Sequence, residues 1–306
     1  MMDYPLLIHK FLERTAILSP HKEIITREEG GNHRYTYADL MQRSTRLSNA
    51  LAGLGVEQGD RVGTFAWNQY RHLEAYFAAP AMGAVLHTIN IRLFTEDLVY
   101  IMNHAGDKVV LVDPDLVPIL EPLASQFESV EHFIIMTDDR SFKTTLPSAH
   151  NYEDLISGAS DAYAPVNSDE DAPAGLCYTS ATTGRPKGSL LTQNALFYNA
   201  ANAIAAHDIT RYDHGLTALP MFHVGGMNIH TTPSIYAGAT TTIQARFAPA
   251  ETLAAISKRK PTIFLTVPAM TLSMIAHSDW ETTNLSSLRL VGVGSAAVPA
   301  AVLRAF

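Results

Sequence analysis

Short apolar runs separated by helix-like segments dominate the first half of the chain, and this alternation restricts the fold more than any other feature. Arg61-Val62-Gly63-Thr64-Phe65 reads as a strand entering a core. Ala84-Val85-Leu86, Val109-Val110-Leu111-Val112 and Phe133 to Met136 read as further strands. Between them, His72 to Met82 and Glu96 to His104 have helical character. Upstream, Thr36 and Asp39 stand near capping-box spacing. Leu40, Leu47, Leu51 and Leu54 then share one helical face before Gly55 and Gly59 interrupt it. Helices alternating with apolar strands predict α/β layers around a substantially parallel sheet.

Such layers need a large core. A chain of 306 residues, 47% apolar and 17% charged, supplies one and has room for more than one folding unit. The stretch from Ser157 to Gly175 is rich in alanine, serine, aspartate and proline and reads as a surface connection. The expected division is therefore a first α/β unit at 1–165 and a second at 166–306. The second would hold Leu176-Cys177-Tyr178, Thr217-Ala218-Leu219, Ile263-Phe264-Leu265 and Leu290-Val291 as its apolar strands. A net charge of −8 disfavours a general nucleic-acid binder. One cysteine, Cys177, precludes an intrachain disulfide and fits a reducing compartment. The opening MMDYPLLIHKFLERTAILSP is interrupted by Asp3, His9, Lys10, Glu13 and Arg14, and so lacks a signal-peptide core. No later stretch is apolar enough for a transmembrane helix. The expectation is a cytoplasmic protein without an integral membrane segment or a nucleic-acid partner.

The strand-like Leu176-Cys177-Tyr178 leads into Thr179-Ser180-Ala181-Thr182-Thr183-Gly184-Arg185-Pro186-Lys187-Gly188. Hydroxyls and backbone amides donate to phosphate oxygens, and Lys187 adds mobile positive charge. Gly184 and Gly188 allow backbone conformations or close approaches that a side chain would obstruct. Pro186 stiffens the turn. The P-loop order GxxxxGK followed by serine or threonine is not met, because glycine follows Lys187. On composition alone, a polar turn with no ligand explains the segment equally well. The complete residue order closely resembles the phosphate-binding loop, commonly YTSGTTGxPKG, of the superfamily that holds acyl- and aryl-CoA synthetases, peptide-synthetase adenylation domains and firefly luciferase. Ala181 replaces the first glycine of that pattern, and Gln193 stands where many relatives carry histidine.

Three further segments fit the same resemblance. Leu219-Pro220-Met221-Phe222-His223-Val224-Gly225-Gly226 is similar to the family's next recurring motif, whose histidine borders the substrate region. By itself His223 reads as a structural histidine beside a turn. Leu288 to Pro299 contains Gly294, Ser295 and Ala296, which resemble the segment lining the adenine and acyl region. By itself it reads as a strand ending in a tight turn. Gly83 to Leu93 resembles the GAVLHTxNPRL scaffold of fatty-acyl-CoA synthetases, with Ile91 in place of proline and Arg92 as surface charge.

The resemblance covers nearly the whole chain and implies the layered, multi-subdomain N-terminal region of an adenylate-forming enzyme, without the small C-terminal domain. It implies ATP and Mg²⁺ as cofactors and CoA as co-substrate. The acid would be activated as an acyl-adenylate and transferred to CoA as a thioester. Thr179, Ser180, Thr182, Thr183, Gly184 and Lys187 are the phosphate-binding candidates. His223, Gly225, Gly226 and Met227 are substrate-proximal, and Gly294, Ser295 and Ala296 border the adenine/acyl pocket. No catalytic residue or metal ligand is assigned within these residues. The family's adenylation lysine, magnesium-associated glutamate and ribose-contacting aspartate lie in later motifs, so the chain is expected to be an incomplete catalytic unit. A medium- or long-chain fatty acid is the expected carboxylic acid substrate. An aryl-acid CoA ligase and an amino-acid adenylation domain are the alternatives among enzymes, and an inactive nucleotide-binding or scaffold protein is the alternative outside them. A homodimer is compatible with the family, and Cys177 is expected to be structural.

Overall fold

The computed structural model describes residues 4–28, 31–162, 165–179 and 184–304. In chain order the strands are β1 (Glu23–Glu28), β2 (Gly31–Thr36), β3 (Arg61–Phe65), β4 (Val85–Thr88), β5 (Asp107–Val112), β6 (His132–Ile135) and β7 (Ala149–Asn151). They continue with β8 (Pro173–Thr179), β9 (Lys187–Thr192), β10 (His214–Thr217), β11 (Thr240–Gln244), β12 (Ile263–Thr266) and β13 (Leu290–Val293). The longer early helices are α1 (His9–Leu18), α2 (Tyr37–Gly53), α3 (Tyr70–Ala81) and α4 (Thr95–Ala105).

Two compact units result. The first combines Met1–Glu13, Ala38–Trp67 and Arg71–Tyr198; the second combines Arg14–Tyr37, Asn68–Tyr70 and Asn199–Phe306. This differs from the sequential division expected at 165/166. The physical reason is strand pairing. After the surface connection, β8 returns to lie parallel to β4, with Leu86 opposite Gly175, so the following hairpin stays in the first unit. Conversely, β1 pairs with β11 and carries β2 into the second unit's sheet.

The first unit's sheet has the order β7-β6-β5-β3-β4-β8-β9 and is parallel except for the antiparallel pair β8/β9 at one edge. Val109 to Val112 of β5 are fully buried, as an apolar run covered on both faces must be. Gly63 of β3 is wedged there: a Cβ would come 3.1 Å from Ile89 Cδ1 and 3.3 Å from Val110 Cγ2. The α2 helix buries Leu40, Leu47 and Leu51, the face its spacing predicts. The α4 helix ends at Gly106, a left-handed residue with φ 69° whose N–H donates to Asn103 O and Met102 O.

The second sheet has the order β13-β12-β10-β11-β1-β2 and is parallel apart from the β1/β2 hairpin. Part of its core is built by Leu216, Leu253, Ile256, Phe264 and Met274, with Trp280 and Val291 packed against them. The chain enters β13 through Arg289, whose guanidinium donates to both carboxylate oxygens of buried Asp213 at 2.7 and 2.8 Å. Burial alone would raise the Asp213 pKa. The hydrogen bonds from Arg289, Thr262 and the Thr210 N–H outweigh it and hold that carboxyl well below its ordinary range. Among the described residues, no helix is long and apolar enough to cross a membrane.

Candidate functional site

In the first unit, the candidate phosphate loop is the turn of the β8–β9 hairpin at the sheet edge. Its last antiparallel pairs are Tyr178 with Gly188 and Thr179 with Lys187. Lys187, Gly188 and Gly184 are exposed, while Pro186 between them is buried. Gly184 has φ 114°, a backbone region that side-chain-bearing residues rarely adopt, so glycine is required there. Thr179 Oγ1 donates a long 3.5 Å hydrogen bond to Lys187 O across the hairpin. The candidates Ser180, Thr182 and Thr183, together with Ala181, lie outside the described residues.

Behind this hairpin is a cluster of rings. Tyr178 Oη and His104 Nδ1 are 2.6 Å apart. The Tyr178 ring lies 5.1 Å from that of His87, which is fully buried and hydrogen-bonded through Nδ1 to Asp107 Oδ2 at 2.8 Å. Burial first, and then nearby Asp107, push the Tyr178 hydroxyl up to about 12, so it keeps its proton at neutral pH. Gly188 makes room for this ring: a Cβ there would lie 3.0 Å from Leu176 Cδ1 and 3.4 Å from Tyr178 Cζ. On the other arm of the turn, the Arg185 guanidinium sits 4.9 Å from the centre of the Tyr100 ring.

Two neighbouring residues are structural. Gln193 is buried. Its Oε1 accepts from the Ile8 N–H at 2.9 Å and its Nε2 donates to Pro80 O at 3.5 Å, so this departure from the family pattern pins helices together. Burial pushes the Cys177 thiol up, the opposite of activation.

In the second unit, Leu219 to Met227 is held mainly through backbone atoms. Asn68, which the sequence motifs do not mark, donates to Leu219 O at 2.8 Å and Gln244 O at 3.1 Å and accepts from the Met221 N–H at 2.6 Å. His223 is exposed, and its Nδ1 accepts the Gly225 N–H at 3.2 Å, capping the short helix Val224–Gly226. Gly225, Gly226 and Met227 are buried. At Gly226 a Cβ would stand 2.1 Å from Pro220 O and 2.6 Å from Leu219 O, so only glycine fits. A π-helical turn follows at Met227–Thr231, a rare geometry that recurs at functional sites. Thr231 Oγ1 donates to Gly226 O at 2.7 Å and fixes it.

That turn meets the strand feeding the third motif. Buried His230 brings its Cε1 3.4 Å from the position a Gly292 Cβ would occupy. Within this unit, the π turn that follows the His223–Met227 segment therefore packs on β13 at Gly292, two residues before Gly294. Gly294 is half-buried, while Ser295 and Ala296 are exposed. Ser295 has φ 69°, an uncommon conformation for a residue with a side chain. Arg92 is exposed, as its reading as surface charge anticipated. Among the described residues, no three histidine, cysteine or carboxylate side chains converge on one point.

The chain thus has two α/β units, one carrying a lysine-bearing edge hairpin and the other a π turn that follows Gly225 and Gly226. The chain belongs to the AMP-binding enzyme family, whose profile matches residues 12–306. It is 37% identical over 309 residues to a long-chain-fatty-acid–CoA ligase of Thermus thermophilus, covering 100% of this chain and 56% of the relative. It is 33% identical over 313 residues to a medium-chain-fatty-acid–CoA ligase of Ectopseudomonas oleovorans, covering 100% of this chain and 57% of the relative. The chain thus spans little more than half the length of these relatives. A crystal structure of an anthranilate CoA ligase in complex with anthranoyl-AMP superposes with a TM-score of 0.89 at 24% identity, over 99% of this chain and 58% of that one, a likeness that shows the fold.

Proposed function

We propose that this chain supplies the phosphate loop and acid-proximal segments of an ATP-dependent acid–thiol ligase, acting on a medium- or long-chain fatty acid in a cytoplasmic setting. In the whole protein, a carboxylate oxygen attacks the α-phosphorus of ATP and pyrophosphate leaves, forming an acyl-adenylate. The thiol sulfur of CoA then attacks the acyl carbonyl, AMP leaves, and the thiol proton passes to solvent. Thr179, Ser180, Thr182, Thr183 and Gly184 would offer hydroxyl and backbone donors to the phosphates, and Lys187 a cation. Mg²⁺ would enter with ATP and offset phosphate repulsion; no protein ligand for it is assigned here. His223, Gly225, Gly226 and Met227 would border the acid, and Gly294, Ser295 and Ala296 the adenine and acyl group.

The observation that carries this reading is the exposed Lys187 on a sheet-edge hairpin beside Gly184 at φ 114°, within a chain of this family. The fatty-acid assignment is supported by the relatives' names. Calorimetric titration of the full natural chain with Mg·ATP is the direct test. Lys187→Ala removes a charge-assisted hydrogen bond and is expected to raise Kd about 10- to 100-fold, with the unfolding midpoint unchanged. Equal affinity in the two folded proteins would refute the phosphate-loop role. Acid-dependent pyrophosphate release across fatty, aryl and amino acids then decides the substrate class, and nucleotide binding without any acid-dependent release would leave only a binding protein.

A further inference from the structure

The two arms of the candidate phosphate turn are tied to the same face of α4. Tyr100 and His104 stand four residues apart on that helix, with ring centroids 5.3 Å apart. Tyr178, on the arm entering the turn, meets His104 across 2.6 Å. Arg185, on the arm leaving it, lies over Tyr100 at 4.9 Å. Arg185 stands two residues before Lys187. The pairing of Tyr178 with Gly188 and of Thr179 with Lys187 passes any displacement of one arm to the other.

None of these ties is needed to bury the core. Lys187 and Gly188 are exposed, His104 is exposed, and Tyr100 is half-buried. A guanidinium over an aromatic face is attracted by the ring quadrupole. That attraction narrows the conformations of a side chain that would otherwise roam in solvent. An edge hairpin has no neighbouring strand on its outer side to set its direction, so side-chain ties must do so. The buried His87, paired with Asp107, packs its ring 5.1 Å from that of Tyr178.

We propose that the Tyr100–His104 face of α4 is a seat that positions the phosphate hairpin, with Arg185 acting as the anchor of its second arm and not as a phosphate ligand. The proposal rests on the nucleotide reading of Lys187 and assigns a task to three residues outside the phosphate-binding set. Tyr100 and His104 are positioning residues. They hold the two arms, and with them Lys187, in place before nucleotide arrives, so the ordering cost is not met at the moment of binding.

The test is Mg·ATP titration of the full natural chain with Tyr100→Leu, Tyr100→Phe, Arg185→Leu and the double variant Tyr100→Leu/Arg185→Leu, alongside Lys187→Ala. Tyr100→Leu and Arg185→Leu should each raise Kd about three- to fivefold without moving the unfolding midpoint. Tyr100→Phe keeps the aromatic face and should bind like the unmodified chain. A merely structural need for the hydroxyl would not be rescued in this way. The double variant should be no weaker than the worse single one, because both remove the same contact. Multiplying defects would make Arg185 a phosphate ligand and overturn the seat. So would unaltered binding by Tyr100→Leu while Lys187→Ala is weakened, which leaves the phosphate-loop reading intact. Unaltered binding by Lys187→Ala refutes both.

Discussion

The two units fix their candidate segments by opposite means. In the first, the β8–β9 hairpin lies at a sheet edge, and side chains restrain its two arms from one helix: Tyr178 on His104 and Arg185 on Tyr100. In the second, the Leu219–Met227 segment is held by backbone contacts, through Asn68 and through the crowding at Gly226. A segment tied by exposed side chains can lose its function while the fold survives. A segment whose backbone is part of the packing cannot. Substitutions should therefore separate binding from stability in the first unit and merge them in the second.

Acid should erase this difference and produce the largest effect. In both units burial holds histidines neutral, among them His9 and His72 in the first and His214 and His230 in the second, these four lowered to about 4. Unfolded histidine takes up its proton near pH 6.5. Between about pH 6.5 and 4 the unfolded chain therefore binds more protons than the folded one, and stability falls as pH falls. Above that window the contribution is complete. Each histidine steepens the loss by up to about 1.4 kcal/mol per pH unit. Trp67 lies in the first unit and Trp280 in the second, so Trp67→Phe and Trp280→Phe variants let fluorescence follow each unit separately. Urea midpoints for both signals should drop together from pH 7 to pH 5. A midpoint that holds steady in either unit would show that its histidines are protonated without opening the fold.

Gly226→Ala should have the next largest effect, confined to the second unit. Its Cβ would stand 2.1 Å from Pro220 O and 2.4 Å from Pro220 C, both backbone atoms that cannot swing aside. The expected cost is about 3 kcal/mol or more, seen as an early loss of the Trp280 signal on heating. An unfolding temperature within a degree or two of the parent would mean that the π turn yields, and that the contrast between the units is overstated.

The buried parallel strands were legible in sequence because both faces of each are covered, leaving uninterrupted runs such as Val109 to Val112. The start of α3 at Tyr70 and the end of β10 at Thr217 differ by a few residues from the sequence limits, since apolar content does not end where hydrogen bonding ends. The edge strands β2 and β9, and β1 beside β2, were not legible. They carry polar residues such as His33, Arg34, Lys187 and Ser189, and the partner that draws β1 into its sheet, β11, lies far along the chain. For the same reason the unit boundary moved away from 165/166, because a low-apolar connection records exposure and not which sheet the next strand joins. The glycine and lysine positions of the candidate loop were legible as an ordered motif. The supports were not: Asn68 reaches across more than a hundred residues to Leu219, and Tyr100 with His104 leaves only an ordinary helical spacing. Side chains that position a motif carry no pattern of their own until the fold brings them to it.

The smallest effect on stability, and the sharpest test of the contrast, is expected at Gly188→Ala. The added methyl meets Leu176 Cδ1 at 3.0 Å and Tyr178 Cζ at 3.4 Å, both belonging to side chains that can shift by tenths of an ångström. Replacing glycine in a strand also narrows the unfolded ensemble, a gain of about 0.4–1 kcal/mol that offsets the crowding. Global stability should therefore change by less than about 1 kcal/mol. The tyrosine cannot yield without cost elsewhere, because its hydroxyl lies 2.6 Å from His104 Nδ1 on the seat. Displacing the ring loosens that tie, and Mg·ATP affinity should fall about two- to fivefold while the Trp67 unfolding curve stays in place. A variant that binds nucleotide normally would mean that the ring moves freely and the first arm needs no seat. One that loses stability and binding together would make the hairpin as rigid as the second unit's glycine turn, and the distinction between side-chain and backbone restraint would fail.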